Sequence, residues 1–237
     1  MEDLTFAAKY WFSPNMLKYA STEDMEHHLK EFACGRGDEE FIRKLLSRNS
    51  AMHKFVSYIA AKNQRNVFDR EVLEAYFYGN TLLENTNTEE MKQLIQDNFG
   101  LDREMTALLL EHFPDSAVPT HNFHIFHLHC ATKGLLHPLT NIDKARIAVG
   151  KVQSVFENEL EVSYEPLVYH EKGIIRTLPK KSIAITFIPD MLPEVKKDDR
   201  VTFRWNFALD IVEESLADHI TLQTKKLVEQ FNAHYRK

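Results

Sequence analysis

The hydrophobic pattern of the chain changes period between residues 116 and 141, and this change decides what the chain can fold into. Before it, apolar residues recur at helical spacing in six segments joined by short loops. After it, short runs rich in β-branched residues alternate with turn-forming stretches. The pattern predicts an α+β protein with an all-helical N-terminal domain and a β-rich C-terminal part.

The predicted β-rich part is a small five-stranded barrel of the OB or HypC-like kind, since five short strands can close a barrel but are too few for a sandwich. The candidate strands are ARIAVGKVQSVF, ELEVSYEPLV, GIIRT, KSIAITFI and RVTFRWNFALDIV. An apolar stripe at helical spacing follows and predicts a C-terminal helix that packs on the barrel or on the helical domain. The predicted boundaries are a helical domain over 1–116, a His-rich connecting segment over 117–140, the barrel over 141–212 and the terminal helix over 213–237.

Composition excludes several classes of protein. The net charge of −6 argues against a nucleic-acid partner, because duplex binding depends on neutralising phosphates with Lys and Arg. No apolar run approaches the length of a membrane span, and only two cysteines occur, far apart, which predicts a cytoplasmic protein without a disulfide framework. A phosphate loop, a dinucleotide fingerprint and a nucleophile elbow are also missing from the sequence.

The stretch HNFHIFHLHC, residues 121–130, contains four histidines and a cysteine and is the candidate metal site. A strand would bring His127 and His129 to one face, whereas a helix would place His121 and His124 at i and i+3. Neutral imidazole suits iron, nickel or zinc. The candidate ligands are His121, His124, His127, His129 and Cys130, with a further ligand from His112, His137 or Glu74.

A structural role for these histidines is an equally simple interpretation, because buried imidazoles often hydrogen-bond only to backbone groups. No zinc spacing such as C-x-x-C or H-E-x-x-H strengthens the metal hypothesis. Other polar side chains are candidates for groups that hydrogen-bond to the metal ligands and orient them. They are Glu74, Tyr76, Asn80 and Asn15. For Glu74, a helix-cap or interdomain hydrogen bond is an alternative to a role as ligand or general base.

The segment LPEVKKDDRVTFRWNFALDIVEESLADHITLQTKKL resembles the closing half of the HypC-type hydrogenase-maturation chaperones. In that family a V-K-x-G-D loop leads into a strand, a G-F-A-I segment and a Glu/Ala-rich terminal helix. The matching residues are Val195, Lys196, Asp199, Val201, Phe207, Ala208, Ile211, Glu213, Glu214 and Ala217. The family's opening L-A-I-P-G-K-V is similar to this chain at Ile147, Ala148, Gly150, Lys151 and Val152, so the resemblance covers residues 144–231.

The chain departs from the HypC pattern at the two metal-binding positions. The family's iron-binding cysteine aligns with Arg146, and its later-strand histidine aligns with Arg204. An arginine stays protonated and has no lone pair to donate to iron. The resemblance therefore implies the barrel fold and a client-binding role without that ligand pair, and the implied client-facing residues are Arg146, Lys151, Arg204 and Asn206.

The whole chain also resembles an uncharacterised prokaryotic family of unknown function, through the segments AAKYWFSPNMLKY, DREVLEAYFYGNTLL and PTHNFHIF. The matching positions are Tyr10, Pro14, Asn15, Tyr19, Glu74, Tyr76, Gly79, Asn80, His121 and His124. Members of the family often carry a cysteine where this chain has Ala20. This resemblance names relatives and implies no activity.

Two hypotheses follow from the sequence. The leading one is a non-enzymatic accessory protein that binds a protein client, such as a hydrogenase subunit or a maturation factor, during assembly of a metal centre. The alternative is a small metal-dependent enzyme in which His121, His124 and Glu74 hold an ion that activates water or dioxygen in a cleft between the domains. Both leave the oligomeric state open.

Overall fold

The computed structural model of the protein describes residues 3–15, 23–48, 51–99, 101–111, 113–131, 142–170 and 174–234. Its helices are α1 (Leu4–Asn15), α2 (Glu23–Ala33), α3 (Glu39–Leu46), α4 (Ala51–Lys62), α5 (Arg70–Phe77), a 3₁₀ helix (Thr81–Asn85), α6 (Thr88–Asn98), α7 (Arg103–Glu111), α8 (His121–Ala131), α9 (Ile142–Ala145) and α10 (Glu214–His234). The six helices predicted from periodicity are confirmed as α2 to α7. None of the helices within the described ranges is long and apolar enough to cross a membrane.

The strands form a closed barrel with an additional hairpin. They are β1 (Ala148–Val155), β2 (Glu159–Tyr164), β3 (Leu167–His170), β4 (Ile174–Thr177), β5 (Lys181–Thr186), β6 (Arg200–Arg204) and β7 (Phe207–Val212). The barrel order is β1-β2-β5-β7-β6, with a parallel pairing of β5 and β7 at Thr186 and Phe207 and antiparallel pairings elsewhere. This is the strand order of an OB-type Greek-key barrel, so the predicted mixed α+β fold is confirmed.

Three of the five predicted strands are assigned differently in the structure. The segment ELEVSYEPLV contains β2 and the start of β3, and β3 lies outside the barrel. The segment GIIRT belongs to β4, which pairs only with β3 outside the barrel. The segment RVTFRWNFALDIV contains two barrel strands, β6 and β7, because the chain reverses at Trp205 and Asn206, whose φ angles are +52° and +58°. Two successive left-handed residues make a tight hairpin turn, and Trp-Asn lacks the glycine that usually marks such a turn in a sequence.

The His-rich stretch is helix α8, so the strand interpretation of it is wrong. Thr120 starts the helix, since its Oγ1 accepts a hydrogen bond from the Phe123 N–H at 3.2 Å. A threonine hydroxyl in this position satisfies an N–H that has no partner inside the helix. The helical register places His121, His124 and His127 near one another along the helix, with Phe123 and Phe126 directed into the core.

One continuous hydrophobic core joins the helices to the barrel. Phe12 of α1 packs edge-on against Phe207 of β7, with ring centroids 5.4 Å apart. On the other side of the barrel, α10 packs against β1, β4 and β6. The Asn232 side chain of α10 pairs with the backbone of Ile175 in β4, so the extra hairpin is held against the terminal helix.

We expect Gly150→Ala to destabilise the fold by about 1–3 kcal/mol, as overpacking of a core does. A Cβ at Gly150 would lie 2.9 Å from Val162 Cβ and 3.3 Å from Phe203 Cε1, inside the barrel. Alanine reduces the entropy of the unfolded chain, which stabilises the fold by only about 0.4–1 kcal/mol. The steric clash costs more, so the net effect is destabilising. Urea denaturation measures the change, and Ser154→Ala on the same strand is the control, expected to stay within about 0.5 kcal/mol. Equal stability of the Gly150→Ala variant would mean that the barrel interior can expand.

Candidate functional site at the junction of the helices and the barrel

Two of the predicted histidines converge on one buried tyrosine. The Oη of Tyr76, on α5, lies 3.4 Å from His121 Nδ1 and 3.2 Å from His124 Nδ1. His121 Nε2 lies 3.2 Å from the carbonyl oxygen of Ala145 at the end of α9. The structure thus brings together three of the residues predicted for the metal site, namely His121, His124 and Tyr76.

One proton arrangement satisfies every hydrogen bond in this group. A carbonyl only accepts, so His121 carries its proton on Nε2 and its Nδ1 is an acceptor. The Tyr76 hydroxyl then donates to His121 Nδ1 and accepts from the His124 Nδ1–H. The group is a directed chain that runs from His124 to Tyr76 to His121 to Ala145, and it requires the His121 imidazole to be neutral.

The surroundings keep His121 and Tyr76 uncharged. Burial lowers the pKa of His121 well below its usual value, and the charge of nearby Arg204 and the neighbouring His124 lower it further. Burial also raises the pKa of Tyr76. Since the imidazole stays unprotonated and the phenol stays protonated at neutral pH, the hydrogen-bond chain is stable there.

Arg204 is a buried guanidinium beside this group. It is 3% exposed, and its Nη1 donates to the Tyr10 carbonyl at 3.4 Å. Its Nε has no acceptor, and no carboxylate of the described residues pairs with it. Burial lowers its pKa to about 10, so it stays charged at neutral pH. It places an uncompensated positive charge inside the junction.

A second buried cluster joins α1, the end of α5 and β6. The Tyr10 hydroxyl of α1 bonds to the Tyr78 hydroxyl, and it lies 2.7 Å from Thr202 Oγ1 on β6. Burial raises the pKa of both Tyr10 and Tyr78. Burial also raises the pKa of the nearby Asp210 carboxyl, despite the opposing charges of Lys9 and Arg70.

The other predicted ligands do not join His121 and His124. The His127 ring packs against Phe113 and Phe123, with centroids 4.8 Å and 5.4 Å away. The side chains of His129 and Cys130, and both His112 and His137, lie outside the described residues. Within the part of the chain that the structure describes, no three His, Cys, Asp or Glu side chains gather closely enough to hold a metal ion.

Glu74 and Asn80 have local structural partners. Glu74 accepts a hydrogen bond from Arg70 Nε at 2.7 Å, one helical turn away on α5. Asn80 caps the 3₁₀ helix, because its Oδ1 accepts from the Leu82 N–H at 3.0 Å. The side chain of Asn15 lies outside the described residues. Of the described side chains among these four candidates, only that of Tyr76 contacts His121 and His124.

The four predicted client-facing residues do not form one surface. Arg146 and Arg204 are buried, at 5% and 3% exposure. Lys151 is exposed and pairs with Asp198 at 2.6 Å. Asn206 is exposed in the turn between β6 and β7, at the opposite end of β6 from the position that pairs with Lys151.

Sequence reasoning missed Asn122, which lies between the histidines. Its Oδ1 accepts from the Ile147 N–H at 2.7 Å, and its Nδ2 donates to the Ile147 carbonyl at 3.0 Å and lies 3.3 Å from Thr224 Oγ1. A single amide thus connects α8, the entry to β1 and α10. Asn122 belongs to no recognised motif, and its burial on a helix becomes visible only in the structure.

Sequence reasoning also missed an apolar tip on the barrel. Phe156 and Val155, at the β1–β2 turn, are 57% and 41% exposed. The neighbouring pairings run from Glu159 to Thr186 and from Thr186 to Phe207, so this tip and Asn206 lie at the same end of the barrel. An exposed phenylalanine in a hairpin turn is visible in a sequence only after the turn has been located.

The Family of unknown function (DUF6390) matches residues 3–237 of the chain. The chain belongs to this family. Comparison with curated proteins and with solved structures gave no match. Membership agrees with the whole-chain resemblance and assigns no activity, so the functional argument rests on the geometry.

We expect stability to fall as the pH drops from 7.5 to 5.5, and His121→Gln to make that fall smaller. His121 has a lower pKa in the folded state than the ordinary value of about 6.5, so below that pH the unfolded chain binds more protons. The contribution of His121 is therefore complete above pH 6.5 and is lost at up to about 1.4 kcal/mol per pH unit below it. Urea midpoints of both proteins across this range measure the difference, and parallel pH profiles would show that His121 does not titrate on unfolding.

Proposed function

We propose that this protein is a non-enzymatic accessory protein that binds another protein through the end of its barrel. The observation that carries the proposal is the placement of Phe156 and Asn206 in neighbouring turns at one barrel end. These are the turns after the first and fourth strands of the barrel, and OB-type barrels bind their ligands through these two loops. Exposed aromatic side chains are enriched where proteins contact each other.

The charge of the adjacent barrel face favours a protein over a nucleic acid. The outer face of β2 and β5 is the surface on which OB barrels bind oligonucleotides. Here it carries Glu159 and Glu161 opposite Thr186 and Ala184. Carboxylates repel phosphates, and neither aromatic nor basic side chains lie at these four positions to bind bases or phosphates. We infer a client that presents an apolar side chain together with basic residues.

The resemblance to the HypC-type chaperones supports a client that takes part in metal-centre maturation. Its matching residues lie on β1, at the entry to β6, on β7 and at the start of α10, in the same order as in those chaperones. A hydrogenase subunit or a maturation factor is therefore the client that we propose. Arg146 and Arg204 replace the chaperone ligands, so this client role does not include iron transfer through that pair.

We expect Phe156→Ser to weaken client binding by about tenfold, because truncation of an aromatic anchor commonly costs more than 1 kcal/mol. The full chain, carrying a short peptide tag, is used as bait in an extract of its own organism, and bound proteins are quantified by mass spectrometry. The control is Leu222→Ser, which removes an equally exposed apolar side chain (51%) from α10. A metalloenzyme subunit or maturation factor that is retained by the control and lost with Phe156→Ser supports the proposal. Retention by both variants, or the absence of any such protein, contradicts it.

A metal site is a second candidate, favoured by the convergence of His121, His124 and Tyr76. Zn–N bonds of about 2.0–2.1 Å separate neighbouring tetrahedral ligands by roughly 3.3 Å, close to the 3.2 Å and 3.4 Å between Tyr76 Oη and the two Nδ1 atoms. The bond from His121 Nε2 to a carbonyl is the type of contact that orients a metal-binding histidine. A zinc, nickel or iron ion bound here would be held by these three side chains and would replace the Tyr76 proton.

Metal analysis tests this second candidate. If the site holds a metal, protein purified without oxygen and without a histidine tag contains near-stoichiometric metal, and a His121→Ala/His124→Ala variant contains none. His127→Ala is the matched control, since His127 lies on the same helix but packs against phenylalanines. Folded wild-type protein without metal would assign the group to interior hydrogen bonding alone.

A further inference from the structure

A cleft of about 210 Å³ lies between the outer face of the barrel and α10. Its barrel side includes Lys151, which pairs across the sheet with Arg200 on one side and with Ser163 on the other. Five cationic side chains and two carboxylates line it, and the cations are Arg146, Lys151, Lys180, Arg200 and Lys225. The carboxylates are Glu165 and Asp218. The cleft is separate from the barrel tip at Phe156.

Arg146 is the buried cationic side chain of this cleft, and hydrogen bonds fix its position. Its Nε and Nη2 donate to Asp143 Oδ1 at 3.0 Å and 2.9 Å, and Nη2 also donates to the Glu165 carbonyl at 2.7 Å. Asp143 is itself fixed by the Tyr164 hydroxyl at 2.8 Å and by the Leu167 N–H at 2.9 Å. No residue in the described ranges accepts a bond from Nη1, whose two N–H donors remain available. A buried guanidinium is thus held in one orientation with one end uncommitted.

The other cations are available to a ligand. Lys151 pairs with Asp198 and Arg200 with Glu214, but these carboxylates are 65% and 74% exposed. Exposed ion pairs contribute about 0–1 kcal/mol, so a ligand in the cleft can displace them. Lys180 makes no ion pair with the residues that the structure describes. Lys225 pairs with Glu165 at 2.9 Å, which leaves Asp218 as the main repulsive group.

We propose that the Arg146 cleft binds an oxyanion, a phosphate or carboxylate group of a small molecule or of an acidic side chain. The two N–H groups of Nη1 can donate to an oxygen of such a group. Because three of the five N–H donors of Arg146 are already bonded to Asp143 and to the Glu165 carbonyl, little side-chain entropy is lost when Nη1 binds. The proposal concerns a site different from the client-binding tip and does not depend on it.

The test is a titration of isotope-labelled full-length protein followed by backbone amide NMR. The probes are inorganic phosphate, succinate and a short acidic peptide, each at constant ionic strength set with chloride. We expect saturable shifts at cleft residues, and the probe that binds most tightly identifies the source of the oxyanion. Shifts that grow linearly with every probe, or that are spread over the whole surface, would overturn the proposal.

Variants separate binding from general charge effects. We expect Arg146→Lys to weaken binding by about tenfold, in line with the loss of one charge-assisted hydrogen bond. Lys180→Ala, on an exposed residue that does not hold the fold together, is expected to weaken binding about threefold, as a solvated charge contributes less. Lys226→Ala removes an equally exposed charge from α10 outside the cleft and is expected to have no effect. Equal losses for Lys180→Ala and Lys226→Ala would mean that phosphate senses only net charge.

Discussion

The hydroxyl of Tyr10 lies between Tyr78, the residue that follows α5, and Thr202 on β6, and the position of the helices on the barrel depends on this contact. A buried hydroxyl without a partner costs about 1–3 kcal/mol, so the three groups can be buried only if α1, α5 and β6 meet in this arrangement. Apolar packing alone, such as Phe12 against Phe207, would tolerate sliding of α1 along the barrel. The hydroxyl chain does not, because hydrogen bonds are directional. The same placement brings Tyr76, two residues before Tyr78, to the histidines of α8.

The buried charge of Arg204 also affects the protonation of His121. Taking a guanidinium out of water without a carboxylate is costly, and the lowered pKa of Arg204 reflects this cost. Its nearest polar surroundings are the Tyr10 carbonyl and the Tyr76 and Tyr10 phenols, which offer dipoles instead of a full negative charge. Burial is the main reason that His121 stays neutral, and the positive charge of Arg204 lowers the pKa of His121 further. The hydrogen-bond chain from His124 to Ala145 is therefore a consequence of Arg204 as well as of burial.

Hydrophobic periodicity predicted helices and strands well where local sequence determines the structure. It predicted them poorly where tertiary contacts determine the structure. Helices α2 to α7 follow from their apolar spacing, and the barrel follows from the β-branched runs. The β6–β7 turn was missed because Trp205 and Asn206 adopt left-handed φ without glycine, held in part by the bond from the Trp205 N–H to the Lys144 carbonyl. At the site, the sequence named His121 and His124 as candidate ligands and Tyr76 as a candidate supporting residue, and the structure places the three side chains side by side. The sequence did not reveal Asn122. Its side chain bonds to the backbone before β1 and to Thr224 on α10, and these partners are distant from α8 in sequence.

The hydrogen bonds of the α8 histidines offer a structural account of their density that needs no ligand. A neutral imidazole has one donor and one acceptor, so His121 and His124 can share the Tyr76 hydroxyl while His121 also bonds the Ala145 carbonyl. These bonds engage the Nδ1 atoms of both imidazoles, so a metal ion would have to replace the Tyr76 proton between them. Hydrogen-bond donors without a protein acceptor and exposed apolar surface are found at the barrel. The donors are on Nη1 of Arg146 in the cleft beside α10, and the apolar surface is the Phe156 ring in the β1–β2 turn. The described helices contact the barrel through α1 and α10 and leave the Phe156 turn exposed, which is compatible with the proposed binding of a partner protein.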